Sequence, residues 1–302
     1  MTILRLRGRV FRPGEFAIMA VVNRTPDSFF DRGRTYGYAA ALEAVDRAVA
    51  AGADIVDIGG VKAGPGDEVG PAEEIRRVAG LVAEVRRRHP RLIISVDTWR
   101  AEVGEVVARA GADLLNDTWG GVDPGLAEVA ARYGVGLVCA HAGGAVPRTR
   151  PHRIAYDDVV ADVIGHTVGL ARRAVAAGVA REAILIDPAH DFGKNTRHSL
   201  EIGRRLGEMT GTGWPVLVAV SNKDFVGETL GGLPVGERHA GTVATLAVSA
   251  WQGARVFRVH DAASARAALA AVTALREALP AGARSNKADN SDKSTNLDNL
   301  DN

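Results

Sequence analysis

The sequence predicts a (β/α)8 TIM barrel, an α/β fold, and three observations lead to this prediction. Eight short apolar runs follow one another between residues 16 and 279, and each precedes a helical stretch. Several of these stretches end at a glycine inside an Ala-Gly-Ala or Ala-Gly-Val connection, which is a helix C-terminus repeated along the chain. The chain of 302 residues is long enough for one barrel of this type. An open, doubly wound sheet is the alternative.

The predicted elements alternate throughout. Apolar runs bounded by turn residues are typical of parallel strands covered on both faces, and they lie at 16–22, 55–58, 92–96, 114–115, 136–139, 184–186, 216–220 and 255–259. The helical stretches lie at 38–51, 71–88, 99–110, 124–133, 156–177, 196–209, 237–252 and 262–279. We therefore expect one barrel domain over 16–283, preceded at 1–15 by a strand or hairpin in which arginines alternate with apolar residues. Residues 284–302 are polar and predict a disordered tail.

The composition is that of a globular protein with little net charge. Hydrophobic residues make up 46% and charged residues 24% of the chain, and the formal net charge is +1, so charge favours neither a nucleic acid nor an anionic membrane as partner. No apolar run has the length of a transmembrane helix or of a signal-peptide core, and we expect a cytoplasmic protein. The single cysteine, Cys139, excludes an intramolecular disulfide and a cysteine-rich metal cluster, and we expect it to be buried.

Polar residues stand at the end of every predicted strand, where a barrel carries its active site. Buried carboxylates without partners are costly, so Asp57, Asp97 and Asp187 together predict either a metal or a ligand rich in hydrogen-bond donors. The full set of strand-end residues is Asn23, Asp57, Asp97, Asn116 with Asp117, His141, Asp187, Ser221 with Lys223, and Arg258 with His260.

The residue types favour an organic ligand over a metal. No histidine pair has metal-ligand spacing, whereas carboxylates, amides and a lysine match a heterocycle such as an aminopyrimidinone, which offers N–H donors and a carbonyl acceptor. Arg258 and His260 lie two apart on one strand and hence on the same face, near Asn23 of the first strand. A phosphate, with or without Mg²⁺, fits there.

Several common motifs are absent from the sequence. There is no GxGxxG after the first strand, no GxxxxGK[ST], no GxSxG and no HExxH. Their absence argues against a Rossmann cofactor, P-loop chemistry, serine hydrolysis and zinc proteolysis. The glycine-rich run GGVKAGPG at 59–66 lacks P-loop spacing and predicts a mobile loop that closes over a substrate.

The strand-end motifs resemble those of one family. The run NRTPDSFFD, which begins at Asn23 and includes Asp31, is similar to the NxTPDSFxDGG signature of dihydropteroate synthases. Shorter pieces follow in the order of that family: DIGG from Asp57, SVDT around Asp97, ND at Asn116, DPAHDFGK from Asp187 and RVHD from Arg258. The resemblance covers about residues 16–279.

The resemblance implies a fold, a reaction and a set of site residues. That family folds as a (β/α)8 barrel, commonly forms homodimers, and joins a dihydropterin methyl pyrophosphate to p-aminobenzoate with loss of pyrophosphate. The resemblance also implies that catalysis is electrostatic, because the protein stabilises the departing dianionic pyrophosphate group. By resemblance, the pterin ring is held by Asp97, Asn116, Asp187, Phe192 and Lys223; pyrophosphate and its Mg²⁺ are bound by Asn23, Arg258 and His260; and the catalytic residues are Asp97, Lys223, Arg258 and His260.

The chain departs from the family where the second substrate would bind. The family's GGESTRPG is GGVKAGPG here, so Ala63 and Gly64 stand at the threonine and arginine positions. Its SRKSFIG is SNKDFVG, which places Asn222 at an arginine position and Asp224 at that of the aminobenzoate-binding serine. Its DPGxGFGK is DPAHDFGK, which adds His190 and an acid.

The change at Asp224 has an estimable cost. Two like charges about 4 Å apart repel by roughly 4 kcal/mol at an effective dielectric near 20, which would weaken carboxylate binding about a thousandfold. The alternative is that Asp224 turns into solvent or pairs with Lys62 or Lys194, which leaves only a lost hydrogen bond of about 1 to 3 kcal/mol.

Four functions remain open from the sequence, and whether the chain is an enzyme is one of the open points. The leading hypothesis is a divergent dihydropteroate synthase paralogue that keeps the pterin pyrophosphate and Mg²⁺ site but makes little or no dihydropteroate. The second is an authentic folate-pathway synthase, and the third is a pterin-dependent methyltransferase. The fourth is a non-catalytic small-molecule sensor or partner protein that retains only the binding site. The roles of Trp99, Trp119 and Trp251 are not predicted, although Trp119 follows Asn116-Asp117 and could line the mouth or pack in the core or at the rim.

Overall fold

The chain forms a barrel of eight parallel strands surrounded by helices. The structure is a computed structural model, and it describes residues 3–25, 35–149 and 155–278. The predicted fold class is confirmed. Within the signature run, Pro26, Asp27, Ser28, Phe29 and Asp31 lie outside the described residues, and so does the predicted tail at 284–302.

The strands have the following bounds. A two-stranded antiparallel hairpin, β1 (Leu4–Leu6) and β2 (Arg9–Phe11), precedes the barrel. The barrel strands are β3 (Ala17–Asn23), β4 (Ile55–Gly59), β5 (Ile93–Asp97), β6 (Leu114–Asp117), β7 (Gly136–Ala140), β8 (Ile184–Asp187), β9 (Leu217–Val218) and β10 (Val256–Val259).

The helices alternate with these strands. In chain order they are α1 (Tyr38–Ala50), α2 (Pro71–Arg88), α3 (Ala101–Ala110), α4 (Gly125–Tyr133), α5 (Val159–Ala176), α6 (Thr196–Arg204), α7 (Leu206–Thr210), α8 (Asp224–Thr229), α9 (His239–Trp251) and α10 (Ala262–Glu277). The connections that follow α3 and α5 begin at Gly111 and Gly178, whose φ angles of 110° and 107° end the helices in the left-handed conformation expected of this repeat.

The sheet closes on itself. The strand order is β8-β7-β6-β5-β4-β3-β10-β9, all neighbours being parallel. A parallel bridge between Ile186 and Val216, with Ile186 N donating to Pro215 O at 3.0 Å, joins the two outer strands. The open-sheet alternative is therefore wrong.

The barrel interior is layered, and its layers explain where the polar residues lie. Each barrel strand contributes at least one apolar side chain to a buried cluster that Leu4, Leu6 and Phe11 of the hairpin cover from the N-terminal end. These side chains include Met19, Ile55, Ile93, Leu114, Val138, Leu185, Leu217 and Val256. Because side chains alternate across a strand, the residues two positions further on also face the interior. That second layer contains Asp57, Ser95, Asn116, Asp187 and Arg258.

Three elements differ from the sequence prediction. The strand predicted at 216–220 is reduced to Leu217–Val218, because its contact with β8 is a single bridge. The helix predicted at 196–209 is interrupted at Arg205, whose φ of −108° leaves the helical region. The short helix α8, which starts at Asp224, was not predicted at all.

Candidate functional site

Four side chains of the second interior layer form one hydrogen-bonded group around Asp57. Arg258 Nε donates to Asp57 Oδ2 at 2.6 Å, and Asn116 Nδ2 donates to the same oxygen at 3.1 Å. Ser95 Oγ donates to Asp57 Oδ1 at 2.6 Å. Asp57 is 0% exposed, so these contacts compensate a carboxylate that has lost all of its water.

Asp97 lies one layer further towards the mouth and shares the same arginine. Arg258 Nη2 donates to Asp97 Oδ2 at 3.0 Å, and Thr118 Oγ1 donates to Asp97 Oδ1 at 3.1 Å. Gly59 separates Asp97 from Asn23: a Cβ atom at Gly59 would lie 3.7 Å from Asp97 Cβ and 3.4 Å from Asn23 Oδ1. The structure thus brings together Asn23, Asp97 and Arg258, which the sequence placed on three separate strands.

The charges of this group do not balance, because one guanidinium faces two carboxylates. Burial raises the pKa of Asp97 to about 7, although Arg258 opposes the shift. Burial alone would lower the pKa of Arg258, but Asp57 and Asp97 raise it above its ordinary value. Asp97 therefore readily gains a proton or accepts a donor from a ligand.

Two buried acceptors remain available on the inner wall of the mouth. Asn116 Oδ1 is buried and has no hydrogen-bond partner among the described residues. Asp187, at the end of β8, accepts from Ala189 N through Oδ1 at 2.7 Å, and burial raises the pKa of its carboxyl group although Lys223 and Lys194 oppose this. A ring that offers N–H donors would satisfy Asn116 and Asp187 together.

Lys223 reaches the same mouth from the β9–α8 turn. Its Nζ lies 4.6 Å from the centre of the Phe192 ring and donates to His190 O. Burial lowers the pKa of Lys223, while Asp191 and Asp187 act in the opposite direction. The predicted pterin residues Phe192 and Lys223 are therefore neighbours on one wall.

His260 follows β10 and is turned towards Ser221 instead of Arg258. Its Nδ1 lies 3.0 Å from Ser221 Oγ, and its backbone N donates to the same oxygen at 3.3 Å. A cavity of about 350 Å³ lies beside this pair, between α9 and α10. Its lining includes Asn222, Thr242 and Ser264 as well as Ser221 and His260. Arg258 and His260 thus serve two different groups of contacts.

The altered residues Asn222 and Asp224 are both tied to Arg238, which the sequence did not indicate as a partner. Arg238 Nη1 donates to Asp224 Oδ1 and to Asn222 O, each at 2.9 Å. The Asp224 side chain is 55% exposed. Lys194 is not its partner, because Lys194 Nζ donates to the backbone oxygens of His141, Ala189 and Phe192 at 2.8 to 3.1 Å. The estimate of an uncompensated charge at Asp224 is therefore wrong.

The β8–α6 loop contributes a contact that sequence reasoning missed. Asp191 Oδ2 accepts from Asp224 N at 2.8 Å and from Phe225 N at 3.3 Å, and Asp191 Oδ1 accepts from Ser199 Oγ at 3.1 Å. The extra acid in DPAHDFGK was visible in the sequence, but nothing there indicated that it would reach α8. Burial raises the pKa of Asp191, and Lys223 opposes the shift.

Aromatic side chains pack at the rim over the loops that carry these residues. Trp119 is 3% exposed and makes edge-to-face contacts with Trp99 and Phe192, at centroid distances of 6.3 and 5.3 Å. Ala63 of the 59–66 loop packs against the same cluster, and Gly64 next to it is partly exposed. Trp119 therefore packs at the rim. Trp251 is 49% exposed on α9, whose barrel-facing residues belong to a different cluster.

Neither a resident metal cluster nor a membrane span is found in the part of the chain that the structure describes. No three acidic, histidine or cysteine side chains in the described ranges are arranged to hold a metal ion. Within the same ranges, no helix combines the length and the apolar character that crossing a membrane requires. Cys139 is buried on β7, as expected, and burial raises the pKa of its thiol.

A (β/α)8 barrel whose mouth presents buried carboxylate and amide acceptors beside a lysine is a site of the class that suits a nitrogen heterocycle. Residues 19–260 match the family model described as pterin binding enzyme. The chain belongs to that family.

The chain is similar to proteins of two kinds. It is 57% identical over 263 residues to the Mycobacterium tuberculosis protein named inactive dihydropteroate synthase 2. These 263 residues are 86% of this chain and 82% of that protein. The protein of the same name from Mycobacterium leprae is 54% identical over 263 residues, covering 86% and 90%. Among solved structures, the Yersinia pestis dihydropteroate synthase in complex with a sulfonamide drug is 36% identical, with a TM-score of 0.86, covering 92% of this chain and 100% of that one.

Proposed function

We propose that the chain binds a dihydropterin pyrophosphate in the barrel mouth but joins it to p-aminobenzoate poorly or not at all. The observation that carries the proposal is the contrast between Asn116 and Asp224. Asn116 Oδ1 is a buried acceptor without a partner among the described residues, ready for a pterin N–H. Asp224, at the position of the family's aminobenzoate-binding serine, has no hydroxyl group to donate to a carboxylate, and its own carboxylate accepts from Arg238 instead. The mycobacterial relatives are named inactive dihydropteroate synthase 2, which supports the lack of condensation in the proposal.

In this proposal the interior acceptors hold the ring. Asn116, Asp97 and Asp187 accept from the pterin N–H groups, and Lys223 donates to its carbonyl edge beside Phe192. The Lys223 ammonium group has three N–H donors, so it can donate to the pterin while it keeps its contact with His190 O. On the pyrophosphate side, Arg258 keeps its contact with Asp57, releases Asp97 to the pterin and donates to phosphate oxygens, and His260 is the second residue of this side. The chemistry is electrostatic, since these groups stabilise the charge of a departing pyrophosphate.

We further propose that Mg²⁺ enters this site together with the pyrophosphate and is not a resident ion. Asn23 Oδ1, beside Gly59, is an oxygen donor of the kind Mg²⁺ accepts, but one amide oxygen does not hold Mg²⁺ without phosphate oxygens and water. Asn23 would supply one protein ligand, and the ion would neutralise charge on the pyrophosphate.

We propose a homodimer that forms through α9. Its outward stripe consists of Ala240, Ala244, Val248 and Trp251, with no charged side chain, and Val248 is 55% exposed. An apolar helix face of this kind is typical of a surface covered by a second subunit. Light scattering should give a dimer for the wild type and a monomer for Val248→Asp. A monomeric wild type would contradict this part of the proposal.

We also propose a cytoplasmic location, where the lone Cys139 stays reduced.

An initial-rate assay for pyrophosphate release tests the proposed lack of condensation. With both substrates and Mg²⁺ present, we expect turnover far below about 1 s⁻¹, the lower end of typical enzyme rates. Turnover at about 1 s⁻¹ or faster would overturn it.

One observation favours an authentic synthase instead, because the ion pair with Arg238 removes the repulsion expected from Asp224. Rescue of a synthase-deficient bacterium by this chain would establish that second candidate.

A further inference from the structure

The segment Ala189-His190-Asp191, hereafter the 189–191 segment, has an unusual backbone. Ala189 and Asp191 adopt φ angles of 48° and 68°, in the left-handed region that L-residues with a side chain rarely occupy. The family motif DPGxGFGK has glycine at both positions. The chain therefore keeps a glycine-type loop while carrying side chains at its two strained points, and the contacts of those side chains must compensate.

Asp191 is fixed between two helices. Its carboxylate accepts from the first two backbone N–H groups of α8, at Asp224 and Phe225, and from the hydroxyl group of Ser199 on α6. Ser199 is fully buried and its Oγ in turn accepts from Asp191 N at 3.2 Å. The carboxylate is thus held from three sides and directed at the start of α8.

His190 secures the neighbouring residues of the same turn. Its carbonyl oxygen accepts from Lys223 Nζ, and its ring stacks on Phe225 with a centroid distance of 5.3 Å and an interplanar angle of 19°. The ring is fully buried, and neither of its nitrogens has a hydrogen-bond partner among the described residues. His190 therefore acts by packing and through its backbone.

We infer that the 189–191 segment is a built-in occupant of the second-substrate half of the mouth. The Asp191 carboxylate takes the backbone donors at the start of α8, those of Asp224 and Phe225. A carboxylate-bearing aromatic amine must displace a carboxylate that belongs to the chain itself. Asp191 is thus a specificity-determining residue that removes the advantage of p-aminobenzoate over an uncharged aromatic amine. This inference rests on the proposed function, because it assumes that the second substrate approaches this turn.

The size of the effect follows from covalent attachment. A group tethered by a short chain competes at an effective concentration on the order of millimolar, so a free carboxylate binds correspondingly more weakly while Asp191 is in place. Asp224 is the smaller obstacle, because its charge is paired with Arg238 and its side chain is half exposed. Removing Asp191 should therefore increase carboxylate affinity more than Asp224→Ser does.

Calorimetric titration of p-aminobenzoate and of 4-aminobenzamide, its uncharged counterpart, tests the inference in the full chain. With dihydropterin pyrophosphate and Mg²⁺ present, Asp191→Gly should raise the affinity for p-aminobenzoate at least about tenfold and leave that for 4-aminobenzamide within about twofold. Asp191→Asn, which keeps an acceptor oxygen but loses the charge, should give a smaller gain. An unchanged affinity for p-aminobenzoate in both variants, or equal gains for the two ligands, would overturn the inference.

A matched control separates this effect from a general loss of a helix cap. Asp158 accepts from Val160 N and Ala161 N at the start of α5 and also pairs with Arg205, so Asp158→Gly removes a helix cap together with an ion pair and should still leave both affinities unchanged. If the wild type does not bind the pterin pyrophosphate, the proposed function fails, and the same ligands are then titrated into the protein alone. A gain confined to p-aminobenzoate in Asp191→Gly would still support the inference, and its absence there would refute it.

Discussion

The barrel layer around Arg258 and the turns around Asp191 differ in how they are built. In the barrel layer, Asp57, Asn116 and Arg258 meet because parallel strands are in register, and each polar atom is placed by a sheet. In the turns, Asp191 and Asp224 meet because two loops with left-handed residues approach each other. The comparison teaches that the half proposed to bind the pterin is fixed by the fold, whereas the half proposed to meet the second substrate depends on individual loop residues and can change while the barrel remains the same.

Replacing one arginine in each region should give the largest difference. Arg258→Met leaves Asp57 and Asp97 buried without their cation, and we expect a loss of about 3–5 kcal/mol in the free energy of unfolding. Arg238→Met removes an exposed ion pair and two hydrogen bonds to backbone oxygens, for which about 1–2 kcal/mol is expected. Denaturant unfolding measures both, and equal losses would contradict the contrast between the two regions.

The pH dependence of stability should depend on the barrel layer through Asp97. Its pKa is raised to about 7, so between pH 4 and 7 the folded protein keeps a proton that the unfolded chain has released. The free energy of unfolding therefore falls as pH rises through this window, by up to about 1.4 kcal/mol per pH unit. The stabilisation that comes from protonated Asp97 is fully lost above pH 7.

Asp97→Asn is the variant that isolates this contribution. The difference in free energy of unfolding between wild type and variant should change steadily from pH 5 to pH 7, while the contributions of other groups cancel. A difference independent of pH would show that Arg258 keeps Asp97 ionised throughout.

Backbone strain should give the smallest effect, and it lies in the turns. Ala189 has a φ of 48°, so Ala189→Gly relieves strain and should stabilise the protein by about 0.5–1 kcal/mol. Ala180, with a φ of −59°, is the control: glycine there only adds freedom to the unfolded chain and should destabilise by a similar amount. Shifts of the same sign in thermal unfolding would exclude strain at Ala189.

The same division explains how much could be predicted from the sequence. Strand-end residues such as Asp57, Asn116 and Asp187 were identified because a parallel barrel brings the ends of its strands together, which periodicity alone reveals. The Asp224–Arg238 and Asp191–α8 contacts were missed because they depend on loop conformation, and α8 has only six residues, too few for a helical period. His260 was assigned with Arg258 by strand alternation, yet its Nδ1 contacts Ser221, which only the coordinates reveal.

Sequential calorimetry tests the central claim most directly. Dihydropterin pyrophosphate with Mg²⁺ is titrated into the protein first, and p-aminobenzoate is added to the saturated complex. We predict a binding event of one pterin per chain, followed by no second event in the concentration range at which a dihydropteroate synthase saturates. Failure of the pterin to bind, or tight binding of p-aminobenzoate followed by release of pyrophosphate, would contradict the account.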